Sequence, residues 1–175
     1  MTTLLLKKAR SNQVARICDL VNVAYRGDIG WTKETDIVSG NRCEKLEIEN
    51  HIANPQSHFL IAEGDSEILS CICLEEKTEK EVHLGLFAVD PRLQGKGVGA
   101  KILKQAESYA SNKLNAKKLV MAVVSQRAEL ISYYERRGYV RTGKVVAYPA
   151  HLNVGTPKFE DLSIEYLEKA TTDLT

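Results

Sequence analysis

No apolar run in this sequence approaches the roughly 20 residues that cross a bilayer, so a membrane-spanning helix is not expected. The opening stretch Met1-Thr2-Thr3-Leu4-Leu5-Leu6-Lys7-Lys8 has only three consecutive apolar residues and does not read as a secretory signal. An excess of one charge is missing too. With 24 basic and 23 acidic residues the formal charge is +1, which argues against a nucleic-acid coat or a polybasic membrane anchor. Cysteine is scarce, at four residues: Cys18, Cys43, Cys71 and Cys73. None forms a CxxC or other metal-type spacing, so no metal is expected. Cys71 and Cys73 share one face of a strand and are poorly placed to bridge each other. Core thiols in a reducing, cytoplasmic setting are the expectation. What is present is ordinary globular material, 43% hydrophobic and 27% charged, and 175 residues suffice for one domain with a proper core.

Hydrophobic spacing gives the order of elements. Leu4 to Lys8 reads as a short strand. Ser11 is the expected N-cap of a helix carrying Val14, Ile17, Val21 and Ala24 at helical spacing and ending near Arg26-Gly27. A polar loop from Gly27 to Asn41 holds the only tryptophan, Trp31, and is too long for a mere connector. Cys43 to Ala53 is a second helix, closed by Asn54-Pro55. Strands follow at His58 to Ala62, Glu67 to Leu74 and Val82 to Val89. Val98, Ile102, Leu103, Ala106 and Ala110 form the apolar stripe of a long helix. Lys118 to Val124 is a strand covered on both faces, and Arg127 to Arg137 is a helix capped by Gly138. Tyr139 to Val146 and Leu162 to Leu167 close the sheet. The expected class is α/β, a mixed sheet with about four flanking helices, in one domain over residues 1–175.

Between strand and long helix stands Gln94-Gly95-Lys96-Gly97-Val98-Gly99. The first amides of a helix lack intrahelical acceptors and carry partial positive charge, and glycines let an anion approach the backbone. Lys96, Lys101 and Lys104 add charge nearby. This is a phosphate site in prospect. A P-loop requires Ser or Thr after Gly-Lys, whereas Gly97 follows Lys96. A dinucleotide fingerprint requires the first glycine to follow the strand at once, but Asp90-Pro91-Arg92-Leu93-Gln94 intervenes. It also needs an acidic residue about 20 positions on, and none stands at Lys117 to Val120.

Val89-Asp90-Pro91 followed by Gln94-x-x-Gly97-x-Gly99 resembles the coenzyme A signature of the GCN5-related N-acetyltransferase (GNAT) superfamily. A second stretch, Arg127 to Tyr139 with its Tyr134-Glu135-Arg136-x-Gly138-Tyr139, resembles the family's next landmark. The gap between them holds one helix and one strand, as in that family. Together the motifs cover Val82 to Tyr139, about a third of the chain. The resemblance implies a mostly antiparallel mixed sheet whose fourth and fifth strands splay apart to admit a thioester. It implies that backbone groups of Phe87, Ala88 and Val89 pair with the pantetheine arm of acetyl-CoA. The pyrophosphate is then held by amides of Gln94, Gly95, Lys96, Gly97, Val98 and Gly99.

Transfer to an amine needs a proton acceptor, because a free alkylammonium has a pKa of about 10. It also needs an oxyanion donor, which a backbone N–H on the splayed strand supplies, and a donor to the departing thiolate. Tyr134 occupies the family's tyrosine position and is expected to donate; the alternative is a core aromatic with a satisfied hydroxyl. Tyr133 points about 100° away around the helix and is expected to pack. Many relatives carry a glutamate where this chain has Gly85. His83, two residues earlier on the same face, is the candidate base, with Glu81 or a water chain as alternatives. Arg127 stands where many relatives have asparagine and is expected to reach the cofactor's phosphates or adenosine end. Acceptor binding is assigned to Tyr25, Arg26 and Trp31, with Thr32 and Arg42 beside them. Arg26 and Arg42 suit an acceptor carboxylate or phosphate.

The expected function is acetyl transfer from acetyl-CoA to a primary amine of a small molecule by direct attack, without a covalent enzyme intermediate. A non-catalytic acyl-CoA-binding sensor and an enzyme acting on protein amines are the alternatives. No nucleic-acid or membrane partner is expected, and a homodimer is allowed.

Overall fold

A computed structural model describes residues 3–174. Met1, Thr2 and Thr175 lie outside it, and with them the first two residues of the opening stretch. The main sheet has seven strands in the order β1-β3-β4-β5-β6-β9-β7, formed by β1 (Leu6–Lys8), β3 (Ser57–Gly64), β4 (Glu67–Glu76), β5 (Glu81–Val89), β6 (Lys118–Val124), β9 (Ser163–Ala170) and β7 (Val140–Ala147). All neighbours run antiparallel except β5 and β6, which are parallel. A two-stranded ribbon, β2 (Val38–Ser39) with β8 (Thr156–Pro157), lies inside loops and was not foreseen from the sequence. Two-residue strands carry no periodicity to read.

Each face of the sheet buries its own core. One core joins α1 (Val14–Arg26) and α2 (Lys45–Ala53) through Ile17, Val21, Ile48, Phe59 and Ile61. The other joins α3 (Val98–Lys113) and α4 (Ala128–Glu135) through Leu103, Ala106, Leu119, Ile131 and Tyr139. Within the second core the buried Glu107 carboxylate accepts from the Tyr139 hydroxyl at 3.0 Å and from Lys169 Nζ at 3.2 Å. That network ties α3, the chain after α4, and β9 together, and it leaves none of the three groups unpaired.

Two helix starts differ from the sequence reading. Ser11 is not the N-cap of α1. It opens a short 3-10 turn, Ser11–Gln13, and α1 begins at Val14. The buried Gln13 side chain accepts from the Arg10 backbone N–H at 2.8 Å, bracing the 3-10 turn, and no described side chain caps α1 itself. Likewise α2 starts at Lys45, not Cys43, because the Asn22 carboxamide takes up the N–H groups of Arg42 and Cys43 at 2.8 and 3.1 Å.

The feature that shapes the site is in β5. Pairing with β6 runs from Glu81↔Lys118 to Leu84↔Met121 and then stops. At the same point β5 bulges against β4, and Leu86 takes a φ of +46°. A left-handed leucine is strained backbone, and a bulge bends and twists its strand. The bulge also switches the strand's inward face. Val82 and Leu84 belong to the α3/α4 core, whereas Leu86 and Ala88 belong to the α1/α2 core. The splay between the fourth and fifth main strands, expected from the family resemblance, is therefore present between β5 and β6.

Candidate active site

The chain leaves β5 through Asp90, whose carboxylate accepts from the Arg92 backbone N–H at 2.9 Å and fixes a 3-10 turn over Pro91–Leu93. Gly95 and Gly97 then both adopt a φ of +78°. A β-carbon at either position would meet no atom within 4 Å, so the backbone faces open space. No side chain caps α3, leaving its leading amides free to meet an anion there.

Gln94 has a role that its place in the motif does not disclose. Its Oε1 accepts from the Trp31 backbone N–H at 3.0 Å, and its Nε2 donates to Thr32 Oγ1 at 2.8 Å and to the Val89 carbonyl at 3.1 Å. The side chain is a strut joining the glycine turn, the end of β5 and the loop after α1. A β-carbon at Gly30 would stand 2.5 Å from Gln94 Oε1, so this approach requires glycine there.

Above the turn lies a cavity of about 350 Å³, bounded by Gln94, Gly95, Gly97 and Gly99 on one side and by Trp31, Phe87 and Tyr134 on the other. A second cavity, of about 540 Å³, enters the splay between β5 and β6. The two share Tyr25, Phe87, Leu130 and Tyr134. Tyr134 thus stands where they meet. Its ring is buried against Tyr139 and Tyr133, at centroid distances of 5.9 and 5.3 Å. Its hydroxyl makes no hydrogen bond to a described residue. Burial holds its pKa well above the usual phenol range, with the neighbouring Tyr25 and Tyr133 adding to the rise, so the group stays protonated.

Tyr133 does more than pack. The Arg137 guanidinium lies 3.5 Å over its ring, and Trp31 packs against it at a centroid distance of 5.3 Å with the rings tilted by 49°. This holds Tyr133 on the cavity wall, its hydroxyl 3.1 Å from where a β-carbon of Gly99 would be. Arg136 and Arg137 also line this cavity and bring it positive charge. The sequence reading missed both, although they stand inside the Tyr134-to-Tyr139 motif.

Other expected residues fall into two groups. Phe87, Val89, Gln94, Gly95, Gly97, Gly99, Tyr25, Trp31 and Tyr134 meet around the first cavity. Lys96 and Val98 belong to the turn without lining that cavity, and Ala88 turns into the α1/α2 core. Beyond Leu84 no strand among the described residues pairs with β5 on its β6 side, leaving that edge of Gly85–Val89 open, though the Val89 carbonyl is already taken by Gln94.

Two arginines depart from expectation. Arg127 is buried, donating to the carbonyls of Thr32 and Trp31 at 3.0 and 3.2 Å and to Glu129 at 2.6 Å, with Glu34 at 3.5 Å. It pins the loop after α1 to the start of α4 and lines neither of the two cavities. Arg26 is also buried. It donates to the carbonyls of Gly40 and Val154, to Glu34 and to the Tyr148 hydroxyl, clipping two loops together, and lines neither of the two cavities.

His83 lies apart from Tyr134. Its Nε2 is 2.7 Å from Glu81 Oε1, and it lines a third cavity of about 240 Å³ with Gly85. That cavity meets the second across Gly85 and Ala122, where a β-carbon on Gly85 would find nothing within 4 Å. Glu81 is bound by Lys118 at 2.9 Å and by His83, which hold its carboxyl below the usual range. Cys71 and Cys73, distant from the motif in sequence, are in register with Ala88 and Gly85 across the sheet. Both are buried, and burial pushes both thiols up, Cys71 to about 12, leaving them protonated and unreactive.

Three phenols carry a pH signature. Burial raises Tyr25 to about 12 and lifts Tyr134 and Tyr139 further. Their stabilising contribution is complete below the unfolded phenol pKa of about 10 and is lost as pH rises above it, because the unfolded chain ionises first. Chemical denaturation between about pH 8 and 12 should show stability starting to fall from about pH 8.5, where the thiols of Cys71 and Cys73 ionise first in the unfolded chain, and falling more steeply above about pH 10 as the phenols join them.

A glycine turn opening a helix, a splayed parallel strand pair and a protonated tyrosine thus meet around two joined cavities. Residues 6–139 match the model of the acetyltransferase (GNAT) family, and the chain belongs to that family. A curated relative, the S-(2-succino)cysteine N-acetyltransferase of Bacillus subtilis (strain 168), is 31% identical over 101 residues. That match spans 54% of this chain and 61% of the relative's length. Among solved structures, the spermidine N-acetyltransferase of Vibrio cholerae in complex with CoA and spermine superposes with a TM-score of 0.71 at 17% identity. The match covers 98% of this chain and 97% of that one. A chimera of the Vibrio cholerae enzyme and hSSAT gives 0.72 at 17% identity, covering 99% and 98%. At such identities the likeness is one of fold.

Proposed function

We propose that the protein, acting as one acetyltransferase domain, transfers the acetyl group of acetyl-CoA to the primary amine of a small molecule by direct attack. The observation that carries this reading is Tyr134, lining both the cavity over the glycine turn and the cavity in the splay, its hydroxyl protonated and without a hydrogen bond to a described residue. The residues around the turn suit the donor. Open backbone at Gly95 and Gly97 admits a pyrophosphate to the amides, and Arg136 and Arg137 balance its charge. The free edge of β5 at Phe87 offers backbone groups to an extended pantetheine arm. Acetyl-CoA supplies an activated thioester; the chain orients it and gives the departing sulfur a proton from Tyr134. His83 serves as base through the open space at Gly85, along a line of water. The named acceptors of the relatives, polyamines and a modified cysteine, are both small-molecule amines.

Thiol release from acetyl-CoA, followed over a panel of polyamines, amino acids and simple amines, tests this directly. At least one amine should release CoA well above the acceptor-free rate and gain an acetyl group by mass. Tight acetyl-CoA binding with no release on any amine favours the alternative of an acyl-CoA-binding module, for which the absence of a glutamate at Gly85 speaks.

A further inference from the structure

Resting on the acetyltransferase reading, we infer that the acceptor carries a carboxylate, held by Arg42 against the face of Tyr25 in the splay cavity. Arg42 lines that cavity and is the one cation among its described lining residues. Its guanidinium carbon lies 5.7 Å from the Tyr25 ring centroid, and Tyr25 in turn borders the cavity over the glycine turn. A group on Arg42 is therefore one aromatic ring away from the junction at Tyr134. The backbone beneath Arg42 is fixed, since Asn22 holds the N–H groups of Arg42 and Cys43 together with the Cys43 carbonyl.

What points to an anion is the state of the guanidinium itself. Arg42 Nη1 is buried and has no hydrogen-bond partner among the described residues. Its nearest carboxylate oxygen, Glu47 Oε1, stands at 3.6 Å, and no side-chain hydrogen bond joins Arg42 to a described residue. Nη1 is closed off on the Glu47 side, and the remaining N–H groups of the guanidinium, from which no described residue accepts, are left for an acceptor oxygen in the cavity. The competing possibility is a cationic acceptor drawn to the cavity's two carboxylates. Glu34, however, is buried and already answered by Arg26 at 3.3 Å and Arg127 at 3.5 Å. Glu47 is partly exposed on α2 and lacks nothing that water cannot supply. The unmet demand is a donor's, which a carboxylate meets through two parallel N–H···O bonds. A phosphate dianion would need more cationic partners than one arginine beside two glutamates. The acceptor so defined has its amine at Tyr134 and its carboxylate at Arg42, as in an amino acid.

The test is kcat/KM by thiol release for matched pairs, each an amino acid and its decarboxylated amine, with spermidine and an aminoalkyl phosphate alongside. The carboxylated member should lead by about 10- to 100-fold, the worth of a charged hydrogen-bonded contact. In Arg42→Met that lead should collapse towards one, chiefly through KM for the acceptor, and Arg42→Lys should keep part of it. Thermal melting reports whether each variant folds, and the lysine variant carries the comparison if the methionine one does not. A wild-type preference for the decarboxylated amine, spermidine or the phosphate overturns the inference. So does a carboxylate preference that survives in Arg42→Met. No release on any amine overturns the acetyltransferase reading, and the carboxylate with it; release indifferent to the carboxylate overturns the carboxylate alone.

Discussion

Tyr134→Phe is expected to lower kcat about 100-fold while leaving the melting temperature close to that of the wild type. The size follows from what a positioned proton donor contributes, at the lower end of its usual range because a thiolate leaves readily. The unchanged melting follows from the packing. Phenylalanine keeps the ring against Tyr133 and Tyr139, and the missing hydroxyl leaves no described partner unsatisfied. KM for acetyl-CoA should move little, since the donor's charge is met at the glycine turn and not at Tyr134. Steady-state kinetics beside a thermal melt separate the two roles. A variant that melts early with kcat intact would make Tyr134 a core residue and nothing more.

Arg127→Met should do the reverse, costing stability before chemistry. The guanidinium is buried with three hydrogen-bonded partners, and its removal leaves the Trp31 and Thr32 carbonyls open and Glu34 half-paired. Breaking a buried pair by deleting one partner costs about 3–5 kcal/mol. In a chain of this size that lowers the melting temperature by roughly 10 °C or more. Calorimetric titration with CoA at low temperature, where the variant is folded, should give a Kd near the wild type's. A variant that melts like the wild type but binds CoA weakly would restore the phosphate role that the sequence suggests for this residue.

Arg127 also shows how far the sequence could be read. A positive charge at a helix start invites an anion, and two are present: Glu129, two positions on, at 2.6 Å, and Glu34 at 3.5 Å, brought from a loop 93 positions earlier by contacts that no local pattern encodes. Arg26 misled in the same way, because its partners at Gly40, Tyr148 and Val154 meet only in the folded chain. What was legible had local causes. The strand at Lys118–Val124 came from an unbroken apolar run, the start of α3 from its glycines, and the end of α4 from Gly138 with its φ of +93°. The two motifs placed Tyr134 and the glycine turn on a shared cavity because both are tied to element ends, which spacing reveals. Acceptor residues belong to loops and to the splay, whose geometry depends on long-range pairing. Gln94 stood in the motif all along, yet its work as a strut to Trp31 and Thr32 needed a loop whose path the sequence did not disclose.

The bulge at Leu86 has a consequence for how such a site can change over time. The gap between β5 and β6 opens where one extra residue is counted into a strand, so it is encoded in chain length and not in the identity of any side chain. Point substitutions can repaint the walls at Tyr25, Arg42 or Gly85 without closing the opening, whereas a one-residue deletion would re-register the strand and exchange the two cores it serves. Walls of the splay cavity alone, such as Arg42 and Gly85, can thereby change without touching the cavity over the glycine turn, whereas Tyr25 belongs to both.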